Sequence, residues 1–150
     1  MSWQSLLTNG SIQTHRTSRQ EIKNLRELVT RDLKDSEIEG LSDDRRFATA
    51  YNAVLQLSKM AIACSGYRVS SNKTGHHRTT FEAVKNAIGT DDVENLADYF
   101  ETCRRKRNLI DYDATEVASV TEADELVEKA REFQTIIEDW IAKTYPAYKR

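Results

Sequence analysis

The chain has 150 residues, with 22 Lys and Arg against 24 Asp and Glu, which gives a formal net charge of -2. That balance excludes a protein that binds nucleic acids through its overall charge, so any anion-binding site must be local. The length fits one domain with a real core, and only five glycines and one proline favour long helices over a strand-rich fold.

The sequence favours a reducing, cytoplasmic setting. The start, MSWQSLLTNG, has neither the basic segment nor the apolar segment of a signal peptide. No apolar run approaches the roughly 18 residues that a membrane-spanning helix needs. Cys64 and Cys103 lie in separate amphipathic segments without a CxxC spacing, and we expect both to be small buried side chains. We therefore expect a cytoplasmic protein that makes no contact with membranes.

Apolar residues acquire a helical period only after the first part of the chain. Residues 1–16 are polar and lack a period, which predicts an irregular N-terminal arm. Beyond this arm, apolar side chains recur in steps of three and four, which predicts a helix over residues 17–38 that ends before Gly40. Ser42 then supplies an N-cap in front of two aspartates, which predicts a second helix over residues 42–66.

The middle of the chain predicts three further features. The second helix has apolar residues around much of its circumference, which is typical of the central helix of a bundle. A polar loop over residues 67–75 leads into a short third helix over residues 76–88. A fourth helix is predicted over residues 91–112, because its apolar residues again follow the helical period.

The last segment completes an all-α fold. A fifth helix is predicted over residues 121–144, where Thr121 and Asp124 form a weak capping signature, and the proline that follows begins a short tail over residues 146–150. Five helices without period-two alternation predict no β-sheet and a five-helix bundle with an antiparallel, up-and-down core over residues 17–145. Such wide apolar coverage would leave an exposed patch around the fourth helix, which favours a homodimer.

The fourth helix ends in an unusual group of cations. Four consecutive basic residues, 104–107, precede the segment NLIDYD. Steps of three and four back from Ile110 reach Arg107, which places this arginine on or beside the buried seam. A half-buried guanidinium needs a partner, because an unpaired charge is costly away from water. Either Arg107 pairs with Asp111 or Glu101, or it lines a cleft and binds a phosphate, which its planar fork suits.

Two segments, AYNAVLQLSKMAIACSGYRVSSNKTGHHRTTFEAV and RRKRNLIDYD, resemble the small prokaryotic members of the HEPN superfamily. Those proteins combine an alanine- and tyrosine-rich central helix with a histidine-containing start of the next helix. They also place an arginine, followed by a polar residue, shortly before a His or Tyr. The resemblance extends over most of the chain, about residues 17–145.

The resemblance implies a five-helix bundle that forms a homodimer, with the arginine motifs of both protomers facing one cleft. It implies that Arg107 and Asn108 are the motif arginine and its polar neighbour, and that Tyr112 occupies the position of the catalytic His of cleaving members. Active relatives are ribonucleases that use no metal or cofactor, often toxins encoded beside a minimal nucleotidyltransferase that acts as antitoxin. Other relatives act in phage defence or bind nucleotides without known cleavage.

The tyrosine leaves the activity open. An imidazole with a pKa of about 6.5 suits the removal of a proton from a 2′-OH, whereas a phenol with a pKa of about 10 is a poor base at neutral pH. Arg104 and Arg107 are the predicted phosphate ligands, together with His76 and His77 at a predicted helix start. There are three hypotheses for the function. The chain is a metal-independent ribonuclease, a non-catalytic module that binds a nucleotide or a nucleotidyltransferase, or a helical dimer without ligand.

The two histidines have two interpretations of their own. One of them could replace Tyr112 as the base. Alternatively, one caps the helix or packs on Tyr51 while the other is solvated. Tyr51 is expected in the core, and Asn52 beside it could line the same cleft.

Overall fold

Helices make up 74% of the structure and strands 4%, which confirms the predicted all-α class. The computed structural model describes residues 1–71, 75–112 and 115–150, with the backbone alone at Tyr112. In chain order the elements are α1 (Trp3–Thr8), β1 (Ile12–Thr14), α2 (Arg19–Asp35), α3 (Asp43–Cys64), β2 (Tyr67–Val69), α4 (His76–Ala87), α5 (Asp91–Tyr112), α6 (Val120–Thr144) and a 3-10 turn (Pro146–Tyr148). The five helices predicted from the sequence correspond to α2 to α6.

The central position of the second predicted helix, α3, is confirmed. It packs against α2, α4, α5 and α6, and its residues from Ala53 to Leu55 are buried in succession. The side chain of Ser42 accepts a hydrogen bond from the backbone N–H of Arg45, so the predicted N-cap is present. A helix surrounded on this scale must be apolar on most of its faces, which is the pattern that the sequence carries.

The prediction of an irregular arm over residues 1–16 is wrong. This segment forms α1 and β1, and it buries Leu6 and Ile12 against Ile62 and Ala83. The ring of Trp3 also stacks on that of Tyr67, with 4.5 Å between the centroids. The N-terminal segment is therefore packed against the bundle, because its few apolar residues are concentrated on one side.

The prediction that the chain contains no β-sheet is also wrong. Strands β1 and β2 pair antiparallel, with Ile12 opposite Val69 and Thr14 opposite Tyr67. Gly66, with a φ of 95°, turns the chain from the end of α3 into β2. Each strand has only three residues, too few for an alternating pattern to be recognised, and this explains why the sequence did not reveal them.

The N-cap of α6 lies two residues before the position that the sequence predicted. Ser119, not Thr121, is the N-cap, and its hydroxyl accepts from the backbone N–H of Glu122 at 3.1 Å. The Glu122 carboxylate accepts in return from the Ser119 N–H at 3.0 Å, which completes a capping box. Asp124, expected to take part in the cap, instead accepts a hydrogen bond from Arg46 at 2.6 Å.

A buried ion pair joins α2, α6 and the C-terminal turn. Arg26 donates from Nε to one oxygen of Glu138 at 2.6 Å and from Nη2 to the other at 2.9 Å. The same Nη2 also donates to the backbone carbonyl of Tyr148 at 2.8 Å. Glu138 is only 8% exposed, so this bidentate pair supplies the partner that a buried carboxylate requires.

Cys64 and Cys103 are free and buried, as predicted. Burial raises the pKa of each thiol to about 11, so both are protonated at neutral pH. In the described part of the chain, no helix is both long enough and apolar enough to cross a membrane.

The apolar surface expected around the fourth predicted helix is covered within one chain. The apolar side chains of the first three turns of α5, among them Leu96 and Phe100, are buried in the core. In the described part of α5, Leu109 is the one large apolar side chain that is exposed, at 42%. The patch from which the homodimer was predicted is therefore absent there, because α3 and α4 cover most of that face of α5.

Candidate functional site

The guanidinium of Arg107 lies between α5 and α3, and its side chain is 18% exposed. Its Nε lies 3.0 Å from Oδ2 of Asp111, and its Nη2 donates to Oδ1 of Asn52 at 3.4 Å. Its Cζ lies 5.6 Å from the centroid of the Tyr51 ring, within the range of a cation–π contact. The half-buried position that the helical period predicted is confirmed, and of the two possible acidic partners Arg107 lies beside Asp111.

The contact between Arg107 and Asp111 is an ion pair without a well-formed hydrogen bond. Although the two atoms are close, Nε is buried and has no hydrogen-bond acceptor in suitable geometry within the described residues. A guanidinium carries five N–H donors, and for Arg107 the described contacts engage only the Nη2 group. Arg107 therefore retains donors that a ligand could engage.

The four consecutive cations of α5 have different surroundings. Arg104 donates from Nε to Oε1 of Glu101 at 2.9 Å. Lys106 lies 2.7 Å from Oε2 of Glu122, which joins α5 to the start of α6. Arg105 is exposed and forms no ion pair with the residues that the structure describes. The cluster is thus divided between structural pairs, a half-buried arginine and one cation open to solvent.

A cleft of about 400 Å³ lies between the start of α4 and the later turns of α5. The described residues that line it are Gly75, His76, His77, Arg104, Arg107 and Asn108. All four predicted phosphate ligands and the predicted motif residue Asn108 are therefore brought together by the fold. No carboxylate is among these lining residues, although Arg104 and Arg107 are each paired with a carboxylate of α5 beside the cleft.

The two histidines agree with the alternative in which one packs on Tyr51 and the other is solvated. His76 is exposed, whereas the Nδ1 of His77 lies 3.3 Å from the hydroxyl oxygen of the buried Tyr51. Burial, followed by the positive charges of His76 and of basic side chains on α3 and α5, lowers the pKa of His77 to about 4. Burial raises the pKa of Tyr51, with Arg107 opposing this effect. At neutral pH His77 is therefore a neutral imidazole that lines the cleft, and the protonated phenol of Tyr51 lies behind it in the core.

Sequence reasoning missed one charge that acts on the site from outside the described lining of the cleft. Lys59 on α3 is exposed, and its charge is one of those that lower the pKa of His77. Asn52, which contacts Arg107, lies seven residues before Lys59, and this spacing places both on one helix face. That spacing was the available signal, but it could be interpreted only after the position of His77 beside α3 was known.

Tyr112, the predicted equivalent of the catalytic His, is the last residue of α5, and its side chain lies outside the described part of the structure. Its assignment stays a prediction. Among the described residues there is no group of three or more His, Cys, Asp or Glu side chains that could hold a metal ion.

Comparisons with protein-family models, with curated proteins and with solved structures found no match to this chain. The resemblance to the HEPN superfamily therefore stays a prediction from the quoted segments.

Proposed function

We propose that the cleft between α4 and α5 binds a phosphate group of RNA or of a nucleotide. The observation that carries this proposal is that Arg104, Arg107, Asn108 and two histidines line one cleft that has no carboxylate among its described lining residues. Arginine suits this task because its planar fork can donate two parallel hydrogen bonds to phosphate oxygens.

The start of α4 gives further support. Its N-cap is Gly75, which has no side chain that could accept hydrogen bonds from the first N–H groups of the helix. N–H groups that have no side-chain cap among the described residues favour an anion, and so does the positive end of the helix dipole. Because Gly75 and His76 also line the cleft, these donors and the two arginines act on the same space.

The chemistry of the cleft favours binding over rapid cleavage. Metal-independent RNA cleavage needs a base for the 2′-OH and a cation for the charged phosphorane, and Arg107 suits the second task. His77 is neutral at pH 7, but a group with a pKa of about 4 is a weak base. A bound phosphate would raise that pKa through its negative charge and make His77 a stronger base. Metal-independent RNA cleavage is therefore the second candidate function.

The wider setting rests on the HEPN resemblance. We propose a member of a toxin–antitoxin or phage-defence system that acts as a homodimer, with Tyr112 near the shared cleft and a minimal nucleotidyltransferase as partner. Light scattering should then give about twice the chain mass of 17.2 kDa. A nucleotidyltransferase gene beside the gene for this chain would favour the toxin pair, and an isolated gene would count against it.

Arg107→Ala tests the proposal directly. Binding of a nucleotide and of a short RNA should be lost, because the half-buried guanidinium of the cleft belongs to Arg107. The matched control is Lys106→Ala, which removes one positive charge from the neighbouring position, outside the described lining of the cleft. Binding is measured by fluorescence anisotropy, and the free energy of unfolding is measured in parallel.

The alternative role of Arg107 gives a different result. If Arg107 serves only as the partner of Asp111, the variant should lose about 1–3 kcal/mol of stability, and any binding should be unchanged. Equal loss of binding in Lys106→Ala would show that overall charge, not the cleft, attracts the ligand.

Cleavage is tested separately at Tyr112, with RNA in the presence of a chelator. Tyr112→His restores the residue of the cleaving relatives and should increase cleavage if Tyr112 occupies their catalytic position. Tyr112→Phe should abolish cleavage only if the hydroxyl takes part. If the unaltered protein cleaves RNA fast and Tyr112→Phe retains this cleavage, His76 and His77 become the first candidates for the base.

A further inference from the structure

A second cavity adjoins the cleft. It has a volume of about 310 Å³, lies between α4 and α5, and is lined by Arg78 and Arg105 among other residues. Arg104 lines both this cavity and the cleft, so this residue lies at their boundary. A ligand that fills the cleft can therefore extend past Arg104 into the second cavity.

The acids of the second cavity already have partners. Lys85 lies 2.5 Å from Asp98 and 3.5 Å from Glu82, and Arg104 donates to Glu101. Glu82 also lies 3.7 Å from the N-terminal amine, so each of the three carboxylates that line the cavity in the described part of the chain has a cationic partner. The second oxygen of Glu101, Oε2, is buried and has no hydrogen-bond partner among the described residues.

Two cations of the second cavity have no acidic partner among the described residues. Arg78 on α4 and Arg105 on α5 are exposed, and neither forms an ion pair with a described residue. They approach the same space from two helices, whereas the cations with structural roles each contact an acid. Their positive charge is available to an external anion.

We infer that the ligand is a single-stranded oligonucleotide, an extended polyanion with several phosphates. One of its phosphates binds at Arg104 and Arg107, and another binds at Arg78 and Arg105. The inference rests on the proposed function, since it uses the cleft as its first phosphate site. It deepens that function by preferring a nucleic-acid strand to a mononucleotide. A nucleoside monophosphate fills only the first site and does not reach the second.

The test is the salt dependence of binding. The affinity of a single strand falls with salt with a slope of about -0.7 per phosphate neutralised, on logarithmic axes. The double variant Arg78→Ala/Arg105→Ala should therefore bind a 2′-O-methyl oligoribonucleotide, which lacks the 2′-OH needed for self-cleavage, with a shallower slope. Loss of one phosphate contact should change the slope by about 0.7. The affinity for a nucleoside monophosphate should not change.

Lys106→Ala/Lys129→Ala is the matched control, because it removes two positive charges from residues that do not line either cavity in the described structure. An unchanged slope for Arg78→Ala/Arg105→Ala, with binding still lost in Arg107→Ala, would overturn the second site and leave the proposed function in place. An equal change of slope in the control would also overturn it. Failure of Arg107→Ala to weaken binding of either probe would overturn the proposed function and this inference together.

Discussion

The Nε of Arg107 lies 3.0 Å from Oδ2 of Asp111, one helical turn further along α5, yet it has no well-formed hydrogen bond. The carboxylate neutralises the guanidinium without engaging its donors in good geometry. A phosphate in the cleft would compete with this carboxylate for the same charge. The ion pair therefore holds Arg107 in position in the free protein and reduces its affinity for an anion.

Asp111→Asn should strengthen the binding of a phosphate-containing probe. A partly exposed ion pair is worth about 1 kcal/mol or less, so the affinity should rise by up to about fivefold. The matched control is Asp124→Asn, which removes the partner of Arg46 outside the described lining of the cleft. Weaker binding in Asp111→Asn, measured by anisotropy, would mean that the carboxylate mainly positions Arg107.

His77 should make stability depend on pH. Its pKa is about 4 in the folded chain and about 6.5 when unfolded, so between these values the unfolded chain binds the additional proton. The free energy of unfolding should therefore fall as the pH falls from about 6.5 to about 4, and this contribution should be constant above that range. Urea denaturation at a series of pH values measures the slope.

The variant for this measurement is His77→Phe, which keeps a ring against Tyr51 and removes the titrating group. Its stability should fall less steeply than that of the unaltered protein between the same pH values. His76→Phe controls for the loss of an imidazole at the start of α4, and it should have a smaller effect. If the free energy of unfolding changes equally with pH in the unaltered protein and in His77→Phe, the pH dependence does not come from His77.

The buried pair of Arg26 and Glu138 should be important for stability. Glu138→Gln leaves the guanidinium of Arg26 half-buried without its counter-charge, which should cost about 3 kcal/mol. Glu37→Gln is the matched control, since it breaks the exposed pair with Arg131 and should cost less than about 1 kcal/mol. Equal costs in chemical denaturation would mean that the desolvation of Arg26 has little energetic effect.

The cap of α6 distinguishes the observed boundary from the one that the sequence predicts. Ser119→Ala removes the acceptor of the Glu122 N–H and should destabilise the protein by about 1 kcal/mol. Thr121→Ala, at the predicted cap, should change the stability by less than about 0.5 kcal/mol. Thermal denaturation of the two variants provides the comparison, and the opposite order would place the cap at Thr121.

Parts of the fold could be predicted because their signal is local. The helical period placed α2 to α6 within a few residues of their observed bounds, and it placed Arg107 at the edge of the buried seam. The two-stranded sheet could not be predicted in this way, because strands of three residues do not show a period and their pairing joins segments that are far apart in sequence. The predicted cap of α6 was wrong because two overlapping capping patterns occur there, and only the backbone decides between them.

The sequence by itself determined the all-α class, the central place of α3, and the grouping of Arg104, Arg107 and Asn108 on one helix. Only the tertiary structure decided that the start of α4 faces the later turns of α5, which brings His76 and His77 to the two arginines. The physical reason is that a helix fixes the relative directions of its own side chains through its 3.6-residue period. Which helices face each other depends instead on how their side chains pack, and that packing is a property of the whole chain.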